Sequence, residues 1–367
     1  MLQSLLITSF LLGNIYKYSL FFTESRVSFL DISVGLIFLI ILIKKSQFIA
    51  PKPVIGFIII CLISLLISGS RYGLSAMMVG FFYIIRWSAY NLLPVAIPSL
   101  KSSSILFFLG LITVVTSVVQ YIFSPDIRNL AVAEWDPHYY RVVGSLLDPG
   151  YTGLMLVFFL IFLTLSPQIV KTKKIILWGI TYLAFVFTYS RSSYLAYLVA
   201  MAYISLRGRG WRFFVGTSLL LFATLPLLPR SSDGEGVKLE RTSSVQARIE
   251  NWRQSWAIFV GHPILGVGFN TYRYAQKSYG FFYNEGNLWL RSHAGAGADS
   301  SLLFVLATTG VVGFVFYLKY LKYLYQFSTL RYYLVPLFFH SFFLNSLFYP
   351  FVLVWIALVI IKERTSP

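Results

Sequence analysis

Long apolar runs alternate with short polar segments along almost the whole chain. We place the runs at residues 3–22, 27–43, 54–68, 74–98, 104–124, 151–166, 174–190, 192–206, 211–228, 299–318, 332–346 and 350–361. A helix of about 20 apolar residues crosses the hydrocarbon core of a bilayer, so the pattern predicts an all-α polytopic membrane protein with about 12 transmembrane helices. We treat residues 1–367 as one integral membrane domain, interrupted by two longer polar loops at 125–150 and 229–298.

The composition supports this class. Hydrophobic residues make up 57% of the chain and charged residues only 12%, which excludes an ordinary soluble domain. The formal net charge of +17 would suit nucleic acid if the basic residues formed one patch, but they occur in every second loop. They are Lys44, Lys45, Lys52, Lys101, Lys171, Lys173, Lys174, Arg207, Arg209, Arg212, Lys319, Lys322 and Arg331. We therefore expect membrane lipids as partners and no nucleic acid.

The same charge pattern predicts the orientation of the chain. Cytoplasmic loops of membrane proteins carry an excess of Lys and Arg, so the basic loops and both termini are expected in the cytoplasm. The loops at 125–150 and 229–298, and the tight hairpin that contains Arg191, then lie on the extracytoplasmic side. Three separate stretches of the chain are expected to meet on that surface of a bacterial inner (cytoplasmic) membrane.

The larger loop contains an amphipathic pattern over about residues 242–260. Its apolar residues recur at spacings of three and four, as on one face of a helix. They are Val245, Ile249, Trp252, Trp256 and Phe259. Thr242 or Ser243 is the expected N-cap, and Pro263 follows the end of the helix. Such a helix is expected to lie on the membrane surface.

Several motifs in fixed order resemble the O-antigen ligase and O-antigen polymerase superfamily. They are Arg-x-x-x-Trp at 248–252, His-Pro-Ile-Leu-Gly-Val-Gly-Phe at 262–269 and Leu-Leu-x-x-x-Ala-Thr-Thr-Gly at 302–310. The upstream sequences Gly-Ser-Leu-Leu-Asp-Pro at 144–149 and Thr-x-Ser-Arg-Ser at 188–192 are also similar to the patterns of that family.

The resemblance implies a GT-C-type glycosyltransferase architecture with an extracytoplasmic active site. It implies transfer of a glycan from an undecaprenyl-diphosphate carrier, a lipid-linked oligosaccharide donor, with no metal and no cofactor. The acceptor differs between branches of the family. It is the lipid A core glycolipid for a ligase, another glycan repeat unit for a polymerase, and a protein for related members.

The chemistry of this reaction predicts which residues bind the diphosphate. The leaving group is a multiply charged anion, and arginine binds phosphate oxygens through a planar fork that keeps its charge. Arg191 and Arg248 match the arginines of the family motifs and are our candidates for diphosphate binding. The alternative for both is an interfacial anchor. Arg86 lies within a predicted span, where it is expected to bind the substrate phosphate or to form a buried ion pair.

Two residues are candidates for the base that accepts the proton of the acceptor hydroxyl. Counting back from Gly310, Asp299 occupies the position where the family carries a histidine. His293 lies six residues earlier, beyond the Ala-Gly-rich stretch 294–298. A histidine titrates close to neutral pH, whereas an aspartate needs a raised pKa or an assisted acceptor. The alternatives are an N-cap for Asp299 and a solvated loop residue for His293.

A second class of function is compatible with the same pattern. A lipid or solute transporter would also be an all-helical bundle with a charged residue such as Arg86 inside it. Transporters place their binding groups near the bilayer midplane, whereas most of the polar candidates here lie in outer loops. We therefore favour the enzyme, with an inactive scaffold as a third alternative because the family histidine is displaced.

Overall fold

The computed structural model describes residues 2–15, 17–19, 26–43, 49–98, 102–129, 138–167, 169–230, 235–281 and 297–365. Within these ranges the secondary structure is helical except for one short antiparallel hairpin, in which β1 (Lys17–Ser19) pairs with β2 (Arg26–Ser28), and an isolated bridge between Asp126 and Tyr139. The coarse prediction of an all-α chain is therefore confirmed.

Each predicted apolar run contains or overlaps one helix, and the larger polar loop adds two more. The helices are α1 (Leu2–Leu12), α2 (Phe29–Ile43), α3 (Lys52–Ile67), α4 (Gly73–Ala96), α5 (Ser102–Phe123), α6 (Pro149–Leu165), α7 (Lys171–Val186), α8 (Arg191–Ile204), α9 (Trp211–Thr224), α10 (Ser243–Gly261), α11 (Tyr272–Ser278), α12 (Ser301–Leu324), α13 (Arg331–His340) and α14 (Pro350–Thr365).

Fewer helices than predicted are long and apolar enough to cross a bilayer as single continuous helices. Among the described residues, α5 and α12 are each long and apolar enough to span, and α3 and α4 together give a third span bent by 50°. Helix α1 ends at Leu12, well before the end of the predicted run at 3–22. It ends there because Gly13 has a left-handed φ of 55° and the Asn14 N–H bonds the Ser145 carbonyl, 2.8 Å away.

Helices α6 and α14 form the centre of the bundle. Every residue of α14 from Pro350 to Ile361 is buried, and α6 is buried almost all round. A helix that is apolar on every face is typical of a buried core or of a membrane span, and here other helices surround it. Helix α6 packs against α5, α7 and α8, and α14 packs against α4 and α5.

The two ends of the bundle differ in their charged residues. At one end, which we call the basic end, the Lys174 ammonium donates to the Ser166 carbonyl (2.6 Å) and Arg209 Nη2 to the Thr164 carbonyl (2.8 Å). At the other end, which we call the loop end, the described parts of the two long loops meet the hairpin before Arg191, whose turn residues 187–190 we call the 187–190 hairpin. The convergence of these three stretches, expected from the charge pattern, is present in the structure.

The predicted amphipathic helix is α10, and its apolar face is divided. Val245, Ile249 and Trp256 are 40%, 42% and 54% exposed, whereas the Trp252 ring lies 6.2 Å from that of Phe343. Three of the five side chains of the stripe are therefore exposed on the outside of the bundle, and one packs against Phe343, which follows α13. The prediction that α10 lies on a membrane surface remains a prediction.

Helix α12 is broken at Gly310, which has φ 64° and ψ −167°. The break frees carbonyl groups that a continuous helix would use, and the 262–268 loop bonds to them. The Val267 and Gly268 N–H groups donate to the carbonyls of Ala307 and Thr308, both at 3.0 Å. Irregular backbone inside an apolar bundle is tolerated only where such bonds are made. The two family motifs at 262–269 and 302–310 thus form one structural unit.

We expect that replacing Gly310 by alanine will destabilise this unit. A Cβ atom at Gly310 would lie 2.2 Å from the Ile264 carbonyl oxygen, and a positive φ costs a non-glycine residue about 1–3 kcal/mol. Gly179→Ala is the control, because a Cβ at this position in α7 meets no atom within 4 Å. Thermal unfolding in detergent should show a fall in Tm of several degrees for Gly310→Ala. Equal Tm values for the two variants would contradict this account.

Candidate functional site

A cavity of about 430 Å³ opens at the loop end of the bundle, between α4, the start of α6, α12 and α14. Small-molecule sites usually measure about 300–1,000 Å³. Three charged residues line the cavity, Arg86, Asp148 and Asp299. Neutral polar and aromatic groups complete the wall, among them Asn14, Tyr83, Tyr151, Asn270, Asn345 and Tyr349.

Asp299 is held at the cavity by a side chain of α10. The Asp299 N–H donates to Asn251 Oδ1 (2.8 Å), and Asn251 Nδ2 donates to the Gly297 carbonyl (3.5 Å). The N-cap of α12 is Ser300, whose hydroxyl accepts from the Leu303 N–H. Asp299 is therefore not the N-cap, and the structural alternative considered for it is removed.

Asp148 is a second carboxylate in the same cavity. It is the N-cap of α6, where Oδ1 accepts from the Gly150 and Tyr151 N–H groups at 2.7 and 2.8 Å. These bonds fix the carboxylate at the positive end of the helix dipole. Leu147, in a left-handed conformation, brings the chain from the 144–146 turn to this position. Asp148 is in the family-like sequence 144–149, but no motif or spacing indicated that it belongs to a site.

Arg248 lies on α10, where the charges of both carboxylates act on it. Burial is the main cause that lowers the pKa of Arg248, and the nearby Arg191 also lowers it, whereas the charges of Asp299 and Asp148 act to raise it. The guanidinium carbon stands 5.7 Å from the centre of the Phe343 ring. Among the described residues the Arg248 side chain has no hydrogen bond, so its donors are positioned by packing.

Arg191 is the first residue of α8 and ties the start of α10 to the 187–190 hairpin. Its Nη1 donates to the carbonyls of Leu239 and Arg241 at 3.2 and 3.0 Å, and Nη2 donates to the Ser244 hydroxyl at 2.6 Å. These contacts occupy two of its three nitrogens. Arg191 therefore positions the helix that carries Arg248, in addition to bringing its own charge close to it.

Two further arginines that the motifs did not indicate support the hairpin. Arg141 Nη2 and Arg241 Nη2 both donate to the Tyr189 carbonyl, at 3.3 and 3.4 Å. Tyr189 has a φ of 50°, which a non-glycine residue adopts only where its surroundings hold it. Burial, with a smaller contribution from Arg241, lowers the pKa of Arg141 to about 9. Arg141 is therefore still charged at neutral pH, and the loop end concentrates positive charge.

Arg86 forms an ion pair on the opposite wall of the cavity. Its Nε and Nη2 donate to the two carboxylate oxygens of Asp31 at 2.7 and 3.0 Å, and the Tyr90 hydroxyl donates to Asp31 at 2.7 Å. Of the two alternatives for Arg86, the ion pair is present. Its predicted role in phosphate binding remains a prediction, since the same residue also lines the cavity.

The structure thus brings most of the predicted site residues to one place. Arg86 and Asp299 line the cavity, the charges of Asp299 and Arg191 both act on Arg248, and Arg191 bonds to Ser244 on the helix that carries Arg248. His293 lies outside the described residues. Sequence reasoning missed Asp31 and the aromatic wall, in which the rings of Tyr151 and Tyr349 stack with centroids 3.8 Å apart. Within the described ranges, no three His, Cys, Asp or Glu residues are grouped as metal ligands would be.

The fold and the cavity define an all-α membrane protein with a polar site at one end of its bundle. The model of the O-antigen ligase family matches residues 175–318 of this chain. The match confirms the resemblance to the O-antigen ligase superfamily, and its range contains Arg191, Arg248 and Asp299. Arg86 and Asp148 lie outside it. Among curated proteins, none matches the chain.

Proposed function

We propose that the protein transfers a glycan from a polyprenyl (undecaprenyl) diphosphate carrier to an acceptor hydroxyl. The observation that carries this proposal is a cavity lined by Asp148 and Asp299, whose charges act on Arg248 of α10, while Arg191 bonds to the start of that helix. A glycan donor of this kind needs cations for its leaving group and a base for its acceptor. The loop end offers both, and the O-antigen ligase match supports the same chemistry.

In the proposed reaction, the acceptor oxygen bonds to the anomeric carbon as the bond from that carbon to the diphosphate oxygen breaks. The carrier diphosphate leaves with the electron pair of the broken bond, and its charge is stabilised by Arg248 and Arg191. The proton of the acceptor hydroxyl passes to a base. We assign the base to Asp299 or to His293, and Asp299 is the one whose backbone is fixed at the cavity.

The charge distribution supports an extracytoplasmic site. Lys174 and Arg209 lie at the basic end, and the cavity lies at the opposite end. By the positive-inside rule, the basic end and both termini belong in the cytoplasm. We therefore propose a multi-pass inner-membrane protein of GT-C-type architecture, with about 12 helices in the membrane, some shorter than a full span. Helix α10 then lies at the outer interface, with Trp256 towards lipid.

Two alternatives remain within the proposal. A polymerase of the same superfamily would use another lipid-linked repeat unit as the acceptor. A lipid or solute transporter is favoured by one observation, the Asp31–Arg86 ion pair inside the bundle, because transporters keep paired charges in their pathways.

The test uses purified protein in liposomes, a lipid-diphosphate oligosaccharide, and in separate reactions a lipid A core glycolipid, a second lipid-linked repeat unit or a protein acceptor. We expect a new glycosidic bond with one of these acceptors, and that acceptor identifies the branch. We also expect the reaction to continue in EDTA, as metal-independent transfer requires. Movement of the donor across the bilayer without a new bond would contradict the proposal and favour transport.

Asn251 provides a prediction about positioning. Asn251→Ala removes both bonds to the 297–299 backbone, and a small displacement of a catalytic group lowers kcat by roughly ten- to a hundredfold. We expect kcat to fall in this way with little change in the KM of the donor. Gln254→Ala is the control, because this amide on the same helix bonds to Gln276 (2.8 Å) and not to the cavity. Equal kcat values for the two variants would show that Asn251 does not position the catalytic group.

A further inference from the structure

A second, mainly apolar cavity of about 170 Å³ lies between α2 and α4. Its apolar lining includes Val27, Val34, Phe82, Ile85 and Ala89. Among the described residues, three charged residues also line it: Asp31 and Arg86, which are joined to each other in their ion pair, and Arg26 of β2. The apolar part of the wall suits a hydrocarbon chain.

The two cavities share a wall. Tyr83, Arg86 and Tyr90 line both the apolar cavity and the larger polar one. The Tyr90 hydroxyl and the Arg86 guanidinium meet at Asp31, so the shared wall is the point where the surroundings change from apolar to polar. A ligand that occupied both cavities would need a hydrocarbon end on one side of this wall and a polar end on the other.

The apolar cavity faces the outside of the bundle. A Cβ atom at Gly35, which lines it, would meet no atom within 4 Å. Around it Ile32, Leu36 and Ile85 are 40%, 41% and 49% exposed, as expected of side chains that face lipid tails. A chain already in the bilayer can reach the cavity sideways.

We propose that this apolar cavity binds the first isoprene units of the polyprenyl carrier, with the diphosphate and the glycan beyond the shared wall, in the larger cavity that Asp148 and Asp299 line. The assignment rests on the proposed function, because a donor bound in this way presents its anomeric carbon on the side of Asp299 and Asp148. The competing occupant is the acyl chain of a bilayer phospholipid, and the experiment separates the two.

The experiment fills the cavity and follows the donor. Gly35→Trp and, as a second variant, Ala89→Phe place a large side chain in the cavity. Gly179→Trp is the matched control, since Gly179 is also a helical glycine with no atom within 4 Å of a Cβ. Two quantities are measured, the KM of donors with long and with two-isoprene carriers, and the binding of undecaprenyl monophosphate, which cannot donate a glycan.

We expect Gly35→Trp and Ala89→Phe to raise the KM of the long-chain donor about tenfold, the effect of leaving about two methylene groups unburied. The affinity for undecaprenyl monophosphate should fall by a similar factor, and Gly179→Trp should change neither quantity. Unchanged KM and unchanged monophosphate binding in both folded variants would overturn the assignment and leave a phospholipid acyl chain as the occupant. Because the monophosphate arm requires no transfer, it supports or overturns the assignment even if the wild-type protein proves not to be a transferase.

Discussion

Replacing Arg248 by alanine is expected to lower the rate of glycan transfer by about a hundredfold or more, since removal of one preorganised donor to a developing anion has an effect of about that size. Arg248 is held between the Phe343 ring and the charges of Asp299 and Asp148, in surroundings that water reaches only in part. A buried cation interacts more strongly with a diphosphate than an exposed one does. The loss should appear mainly in kcat, where the leaving group carries its full charge.

Arg253→Ala is the matched control for this prediction, because Arg253 is an exposed arginine on the same helix. Its removal changes the net charge equally and should leave kcat within about twofold, as is usual for an exposed charge. Arg248→Lys should give an intermediate rate, because a lysine keeps the charge but not the planar fork. If Arg248→Ala and Arg253→Ala behaved alike at equal protein abundance, Arg248 would be an interfacial anchor.

Replacing Asp299 by asparagine is expected to reduce kcat by about 10²- to 10⁴-fold, the usual contribution of a general base. The substitution keeps the shape of the side chain and the backbone bond to Asn251, and it leaves the Ser300 cap in place. The fold should therefore be intact, and the melting temperature should stay close to that of the wild type. Donor binding should be unchanged as well.

His293→Ala, assayed in parallel, decides between the two candidates for the base. A base at Asp299 predicts that His293→Ala keeps most of the activity, and a base at His293 predicts the reverse. Glu250→Gln is the charge control, because Glu250 is an exposed acid on α10. Full activity in both Asp299→Asn and His293→Ala would remove the proposed base altogether.

Much of the helical pattern was predictable because the apolar runs are long and clearly bounded. The ends of each helix were harder to predict, since they depend on tertiary contacts. Helix α1 stops at Gly13 because Asn14 bonds to residues 145 and 146, which lie far along the chain. The break in α12 could not be predicted from hydropathy either, because the N–H groups that bond to its freed carbonyls come from the 262–268 loop.

The site residues that belong to family motifs could be predicted from the sequence. Those whose role depends on a partner brought close by the fold could not. Arg191 and Arg248 could be chosen from the family pattern and from the chemistry of phosphate. Asp31 could not, because only the fold shows that it meets Arg86 across 55 positions of sequence. A signal was present in the isolated acid at the start of an apolar run, since a charge in a membrane helix needs a partner.

The measurement that tests the central claim most directly is the stoichiometry of a single turnover. Purified protein in liposomes is mixed with a lipid-diphosphate oligosaccharide and each of the three candidate acceptors in turn, and free carrier diphosphate and glycosylated acceptor are quantified by mass spectrometry. We predict that one carrier diphosphate is released for each glycosidic bond formed, and that both products fall together in Arg248→Ala and Asp299→Asn. Donor that is moved or hydrolysed without a new glycosidic bond would contradict glycan transfer at this site.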